Sequence, residues 1–343
     1  MTFLLTFALL VTGGFSVSTR ADASKSLLLR KPHNQRTAPI FIFHVDEFWL
    51  NLHHFLYVLG RAENKTRDSS REAVVNAPAD QEQGLKKLDA AQQASWRKAV
   101  SAYAKDMSKK DAVFDNSMAA LTNTLAKVAN NKSPAVAGVD AAAAEILTEA
   151  APSYRKIWWS SHRHANEVAR SAMQKLVNQH GAAVLSFITK AYQLSWPEAG
   201  YDVHVSAYSN WAGAYSTDNN LLVVASLAEG NRGPYGLESV FHEAMHQWDA
   251  PMDKALEQLA VNLKREVPRN LSHTLIFFTA GEAVHRVFPD HVPYAEKFGV
   301  WARGWTEQKA ALEEIWKPYL DGKGTRDEAL TDLIKRLTPS IRF

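Results

Sequence analysis

The hydrophobic period of the chain changes once, at Pro197, and that change limits the folds open to it. Before it, apolar residues recur at helical spacing. Phe48, Trp49, Leu52, Phe55, Leu56 and Leu59 make one stripe, and Leu85, Leu88, Trp96, Val100, Tyr103 and Met107 a second. Gly60 reads as the end of the first helix, and the polar, Pro78-containing stretch 61–82 reads as a loop. Helical patterning returns over 114–128, 140–150 and 154–194, with an interruption expected near Gly181. After Pro197, Tyr201-Asp202-Val203-His204-Val205 alternates as a half-buried strand does. Asn210 to Tyr215 is a looser strand candidate, Asp218-Asn219-Asn220 a turn, and Leu221 to Ala225 a buried strand. Helices are then expected over about 237–248, 252–265 and 272–288, with Pro251 and Pro268 as stops, and to the end apart from a break at 318–324. The expected fold class is α+β, predominantly helical, with a helical region over 24–195 and a second region over 196–343 that holds a small sheet.

The helix expected over 237–248 carries His242-Glu243-Ala244-Met245-His246, with Leu237, Val240, Phe241, Ala244 and Trp248 on its buried side. Histidines four apart lie one turn above each other on one face, so both imidazoles can reach one ion. Zinc accepts such nitrogens at about 2.0–2.1 Å in tetrahedral geometry. Glu243, next to the first histidine, points aside from the ion and reaches a water there. Zinc lowers the pKa of that water to about 7, and the carboxylate can take its proton. His-Glu-x-x-His on a helix is the zincin signature.

The third ligand decides the subclass. A metzincin would place glycine three residues after His246 and histidine six after, but Asp249 and Met252 stand there. Asp249 and Asp253 offer carboxylates, although Pro251 turns the chain between them. Glu282 lies 36 residues past His246, on a later helix, in Thr279-Ala280-Gly281-Glu282-Ala283-Val284-His285. At these residues the chain resembles the gluzincins, the thermolysin-like and aminopeptidase-like metallopeptidases, which add a glutamate from a later helix. The resemblance spans about Val203 to Val287. It departs from the best-known members in the longer gap, in the helical N-terminal half, and in Gly281 where they carry asparagine.

The resemblance implies a zincin-like catalytic region over 196–343, with Zn2+ held by His242, His246 and Glu282. It makes Glu243 the general base and then the acid that protonates the leaving amine. It places a peptide or protein substrate along an edge strand, either Asn210 to Tyr215 or Leu221 to Ala225. A donor to the transition-state anion is sought among His273, His285, Tyr215, Tyr235 and Tyr294, with His273 and His285 as the catalytic candidates. The expected activity is zinc-dependent hydrolysis of peptide bonds. The alternatives are a zincin scaffold without turnover, against which the intact Glu243 speaks, and a metal-dependent amidase acting on a non-peptide substrate.

Phe3 to Val11 (FLLTFALLV) followed by Ala21-Asp22-Ala23 reads as a signal peptide over 1–23, although no Lys or Arg precedes the run. The expected location is therefore secreted or periplasmic, with no membrane span after leader removal, since no segment has the ~20 apolar residues required. With no cysteine, disulfides, thiolate metal sites and cysteine nucleophiles are excluded. Net charge is +3 with acids and bases interleaved, which argues against a nucleic-acid surface. His162 and His164 are two apart and diverge on a helix, as do His53 and His54, so neither pair is expected to chelate.

Overall fold

The computed structural model describes residues 38–65, 72–217 and 221–339. The expected leader over 1–23, nearly all of the segment that follows it, and the turn at Asp218-Asn219-Asn220 lie outside those residues. Alternation along the strand Tyr201–Ser206 decides the layering. Tyr201, Val203 and Val205 point into one apolar cluster, while His204 and Ser206 point to the other side. Both faces are covered by helices, so the sheet is the middle layer.

The strands are β1 (Phe41–His44), β2 (Tyr201–Ser206), β3 (Ala214–Ser216) and β4 (Leu222–Ala225), in the order β1-β2-β4-β3. β1, β2 and β4 are parallel; β3 runs antiparallel to β4 at one edge, with Ser216 opposite Leu222. The strand expected over 210–215 therefore starts later, at Ala214, and β1 was not anticipated. Since β1 precedes residue 195 and β2 follows it, the two regions divided there share one sheet.

One side of the sheet packs on α1 (Phe48–Glu63), α2 (Glu72–Leu85), α3 (Ala90–Lys105), α4 (Asn116–Leu125) and α5 (Ala141–Ile157), which leads into α6 (Trp159–Leu176). α1 is buried from Phe48 through Gly60, on all sides rather than on one stripe, as befits a central helix. Gly60 does not end it: a Cβ there would lie 2.3 Å from Ser108 Oγ, so the glycine allows a close approach inside a helix that runs on to Glu63.

α2 corrects the loop expected over 61–82. It docks through the buried Ala77 and Leu85 and through polar groups. Asp80 accepts from Tyr208 Oη (3.0 Å), pairs with His162 Nε2 (2.8 Å), and takes the Trp158 Nε1–H on its carbonyl (3.2 Å); Gln81 Oε1 accepts from Trp96 Nε1 (3.0 Å). Buried aromatic N–H and O–H groups need such partners, and α2 supplies them. Pro152 lies inside α5, and a π turn at Val177–Gly181 carries α6 into α7 (Ala182–Tyr192) without a break.

The other side of the sheet packs on α7, α8 (Pro234–Met245), α9 (Asp249–Leu263) and α10 (Leu271–Val287). Beyond these come α11 (Tyr294–Lys297), α12 (Thr306–Ala311), α13 (Lys317–Leu320) and α14 (Arg326–Leu337). Pro251 falls in the first turn of α9, where its missing N–H is harmless, so it does not act as a stop. No described helix is long and apolar enough to cross a membrane.

His53 and His54 belong to the α1 core. His53 Nδ1 meets Tyr103 Oη at 3.1 Å, and His54 meets Ser206 Oγ (3.2 Å) and Tyr215 Oη (2.8 Å). Burial pushes the His53 imidazole down to about 3. Its folded pKa is depressed, so its contribution is intact above the unfolded value near 6.5 and is lost as pH falls toward 3. The loss runs at about 1.4 kcal/mol per pH unit. Urea midpoints taken from pH 7 to 4.5 should fall accordingly, and His53→Gln should remove about one proton from that slope. An unchanged slope in the variant would rule His53 out as its source.

Candidate metal centre

α8 starts at Pro234, whose fixed φ suits a first helical turn, and buries Leu237, Val240, Phe241 and Ala244 against the sheet and α10. That anchoring turns His242 and His246 toward α10 and Glu243 toward β3. The histidine rings are 5.2 Å apart. His273, in the first turns of α10, completes a triangle, 5.5 Å from the His242 ring and 5.0 Å from that of His246. One nitrogen from each of the three lies within 4.8 Å of the other two, a group that can hold a metal ion.

Glu282 is not part of this group. Nine residues of helix separate it from His273, about 13 Å along the axis and roughly half a turn around it. Its carboxylate instead pairs with Lys317 Nζ at 3.0 Å, with Arg286 4.0 Å away. The third member of the group is His273, expected as a transition-state donor, and not Glu282, expected as a ligand. Asp249, the alternative ligand, takes an outer place: its Oδ2 lies 2.8 Å from His246 Nδ1. A carboxylate there accepts the Nδ1 hydrogen and leaves Nε2 free for an ion. Asp253 is exposed and hydrogen-bonds Ser272.

The other donor candidates are also accounted for. His285 stands 12 residues beyond His273, about 18 Å along α10, and its Nδ1–H donates to the His291 carbonyl at 2.8 Å. Tyr215 points to the far face of the sheet, toward His54. Tyr235 packs on His291 and Phe298, and Tyr294 on Phe298.

Burial sets the charge of the histidines. It lowers His273 to about 4, helped by the His246 charge against the pull of Asp249. It drives His242 well below the usual value, with His246 and His273 adding to the effect. Neutral imidazoles are what a metal needs as ligands. Burial works against a charged His246 too, but the Asp249 hydrogen bond, with the Glu243 and Asp249 charges, outweighs it and raises the pKa. The Glu243 carboxyl is raised by burial, against the His246 charge and a hydrogen bond from Ser216. Ser216 Oγ lies 2.8 Å from Glu243 Oε2 and 2.6 Å from the Glu243 carbonyl oxygen.

Aromatic rings close the surroundings. Phe277 lies 4.1 Å from the His242 ring and stacks on His273 at 4.8 Å, and Trp305 meets His273 edge-on at 5.6 Å. Gly281 of α10 makes a close approach to Pro293 and to the Glu238 side chain of α8. A Cβ there would stand 2.7 Å from Pro293 Cβ and 3.2 Å from Glu238 Oε1. Glu238, one turn before His242, is buried against His291 and accepts the Tyr294 N–H at 2.9 Å. Since Gly281 meets Glu238 while His273 meets His242 and His246, the two helices run antiparallel. Phe277 and His273 are four and eight residues before Gly281, on the same face of α10. That spacing was the available signal for His273. Ser216 carried no signal of its own in the sequence.

Compared with known proteins, the chain matches no family model, no curated protein and no solved structure.

Proposed function

We propose that this protein is a zincin-like metallohydrolase that cleaves peptide amide bonds, with His242, His246 and His273 as its zinc ligands. The observation that carries the reading is the separation of roles at one helix turn: three imidazoles converge while Glu243, adjacent in sequence, stays out of the group with its carboxyl raised by burial. A purely structural site has no use for such a base. Zinc held there supplies a Lewis acid that lowers the pKa of a water to about 7, and three neutral ligands leave its charge undiminished.

The remaining work falls to the chain. Asp249 fixes the His246 tautomer. Glu243 takes a proton from the attacking water on one carboxylate oxygen and delivers it to the departing amine nitrogen. The edge strand β3, antiparallel to its neighbour beside α8, offers main-chain groups on which an extended peptide can add as a further strand. Phe277 and Trp305 keep water from the sides of the imidazoles.

The test joins metal and turnover. After equilibration with zinc and gel filtration, purified protein should carry about one ion per chain, as a three-ligand site with an open position holds. It should cut members of a mixed peptide library followed by mass spectrometry, lose that activity to a chelator, and regain it with zinc. Cleavage indifferent to the chelator, or a zinc-loaded protein that cuts nothing, would defeat the proposal.

A further inference from the structure

Resting on that reading, we propose that Ser216 is the positioning residue for the general base: its hydroxyl holds Glu243 Oε2 so that the other carboxylate oxygen faces the water beside the three histidines. The contact is made from a different part of the chain. Ser216 ends β3, 27 positions before Glu243, and reaches both the carboxylate oxygen and the carbonyl oxygen of that residue, at 2.8 and 2.6 Å. A glutamate side chain has three rotatable bonds, and a base at the wrong end of that freedom loses rate steeply. The hydroxyl has one hydrogen for two acceptors, so it is shared between the Glu243 carbonyl and Oε2, and that sharing keeps Oε2 on the Ser216 side of the carboxylate. A hydroxyl has one donor and two acceptor sites, so it suits a carboxyl that both takes and returns a proton.

The strand that presents Ser216 is itself pinned. Alternation sends Tyr215 to the opposite face, where its Oη bonds His54 Nε2 at 2.8 Å and lies 3.4 Å from Thr122 Oγ1. Thr217 N–H donates to the Leu221 carbonyl at 3.0 Å, and Ala214 to Ser216 pair with Leu222 to Val224. Ser216 is half-buried, whereas Tyr215 and Thr217 are buried. The strand that would bind a peptide and the side chain that aims the base are therefore one element. A substrate paired to β3 sits in register with Glu243 through Ser216.

A role limited to capping the last carbonyls of α8 would show in stability alone. The experiment therefore separates stability, zinc content and turnover. Ser216→Ala, Ser216→Thr, Glu243→Gln and the Ser216→Ala/Glu243→Gln double variant are compared with wild type by zinc content, thermal melting, kcat and KM. The substrate is the peptide that wild type cuts fastest. Ser216→Ala should bind zinc as wild type does and keep its KM, with kcat lower by about 10- to 100-fold, the range of a hydrogen bond to a charged group. Ser216→Thr, which keeps the hydroxyl, should recover most of that loss. In the Glu243→Gln background, Ser216→Ala should lower kcat no further, because the two residues act as one unit. Should Ser216→Ala fail to fold, Ser216→Cys takes its place, with a smaller expected loss. A wild-type kcat in Ser216→Ala, or equal losses with and without Glu243, overturns the assignment and leaves the hydrolase reading standing. A zinc-loaded wild type with no turnover defeats both.

Discussion

Alanine in place of His273 should empty the metal centre, while Glu282→Ala should leave it loaded. His273 is one of only three side chains that converge on the site among the described residues. Without it the ion keeps two protein ligands. Loss of a mere outer partner weakens metal affinity about 10- to 100-fold, so loss of a ligand should exceed that. Glu282 pairs with Lys317 and faces away from α8, so its loss removes a contact remote from the three histidines. Zinc retained at buffered free-zinc concentrations would be measured for both variants and for Asp249→Ala, which should weaken retention moderately through His246. Retention in His273→Ala with loss in Glu282→Ala would restore the glutamate as third ligand and with it the gluzincin pattern.

Glu243→Gln should part binding from chemistry more sharply than any other substitution. Glutamine matches glutamate in shape and keeps an oxygen for the Ser216 hydroxyl, but it has no carboxylate to accept a proton from water. Zinc content should remain that of wild type, because the three histidines are untouched. The loss in kcat should be about 10²- to 10⁴-fold, the usual contribution of a general base, with little change in KM. A variant that keeps most turnover would place the base elsewhere. A variant that loses zinc would show Glu243 to be a ligand.

Both forecasts depend on a site of which half was legible in the sequence. His242 and His246 share a face because they are four apart on a helix, whatever surrounds that helix. The same locality made most helices readable, as well as the alternation of β2 and the apolar run of β4. The errors have a common cause. The polar composition of α2 reads as a loop, because much of its docking runs through the carbonyl and carboxylate of Asp80 and the amide of Gln81, which no hydrophobic period records. β1 is an apolar run no longer than that of β4, but it stands alone ahead of the helical half, and the strand it pairs with, at Tyr201–His204, lies some 160 residues later. Gly60 was read as a helix end by its type, yet its lack of a side chain serves a contact with Ser108.

What the sequence alone determined is the local chemistry: a helix with two imidazoles on one face, a carboxylate beside them, and a mostly helical chain with a small sheet to carry it. Only the tertiary structure decided which residue joins them. Glu282 and His273 lie on the same helix, and both are plausible ligands by residue type. The choice between them falls to the angle at which α10 meets α8. Gly281 faces Glu238 of α8, and a side chain one position on points roughly 100° away, while those four and eight positions before it face the partner helix. The placements of Ser216 against Glu243 and of Asp249 against His246 differ in the same sense. The second lies within one helical turn of its partner and follows from local spacing, whereas the first requires a sheet to bring an edge strand to the helix.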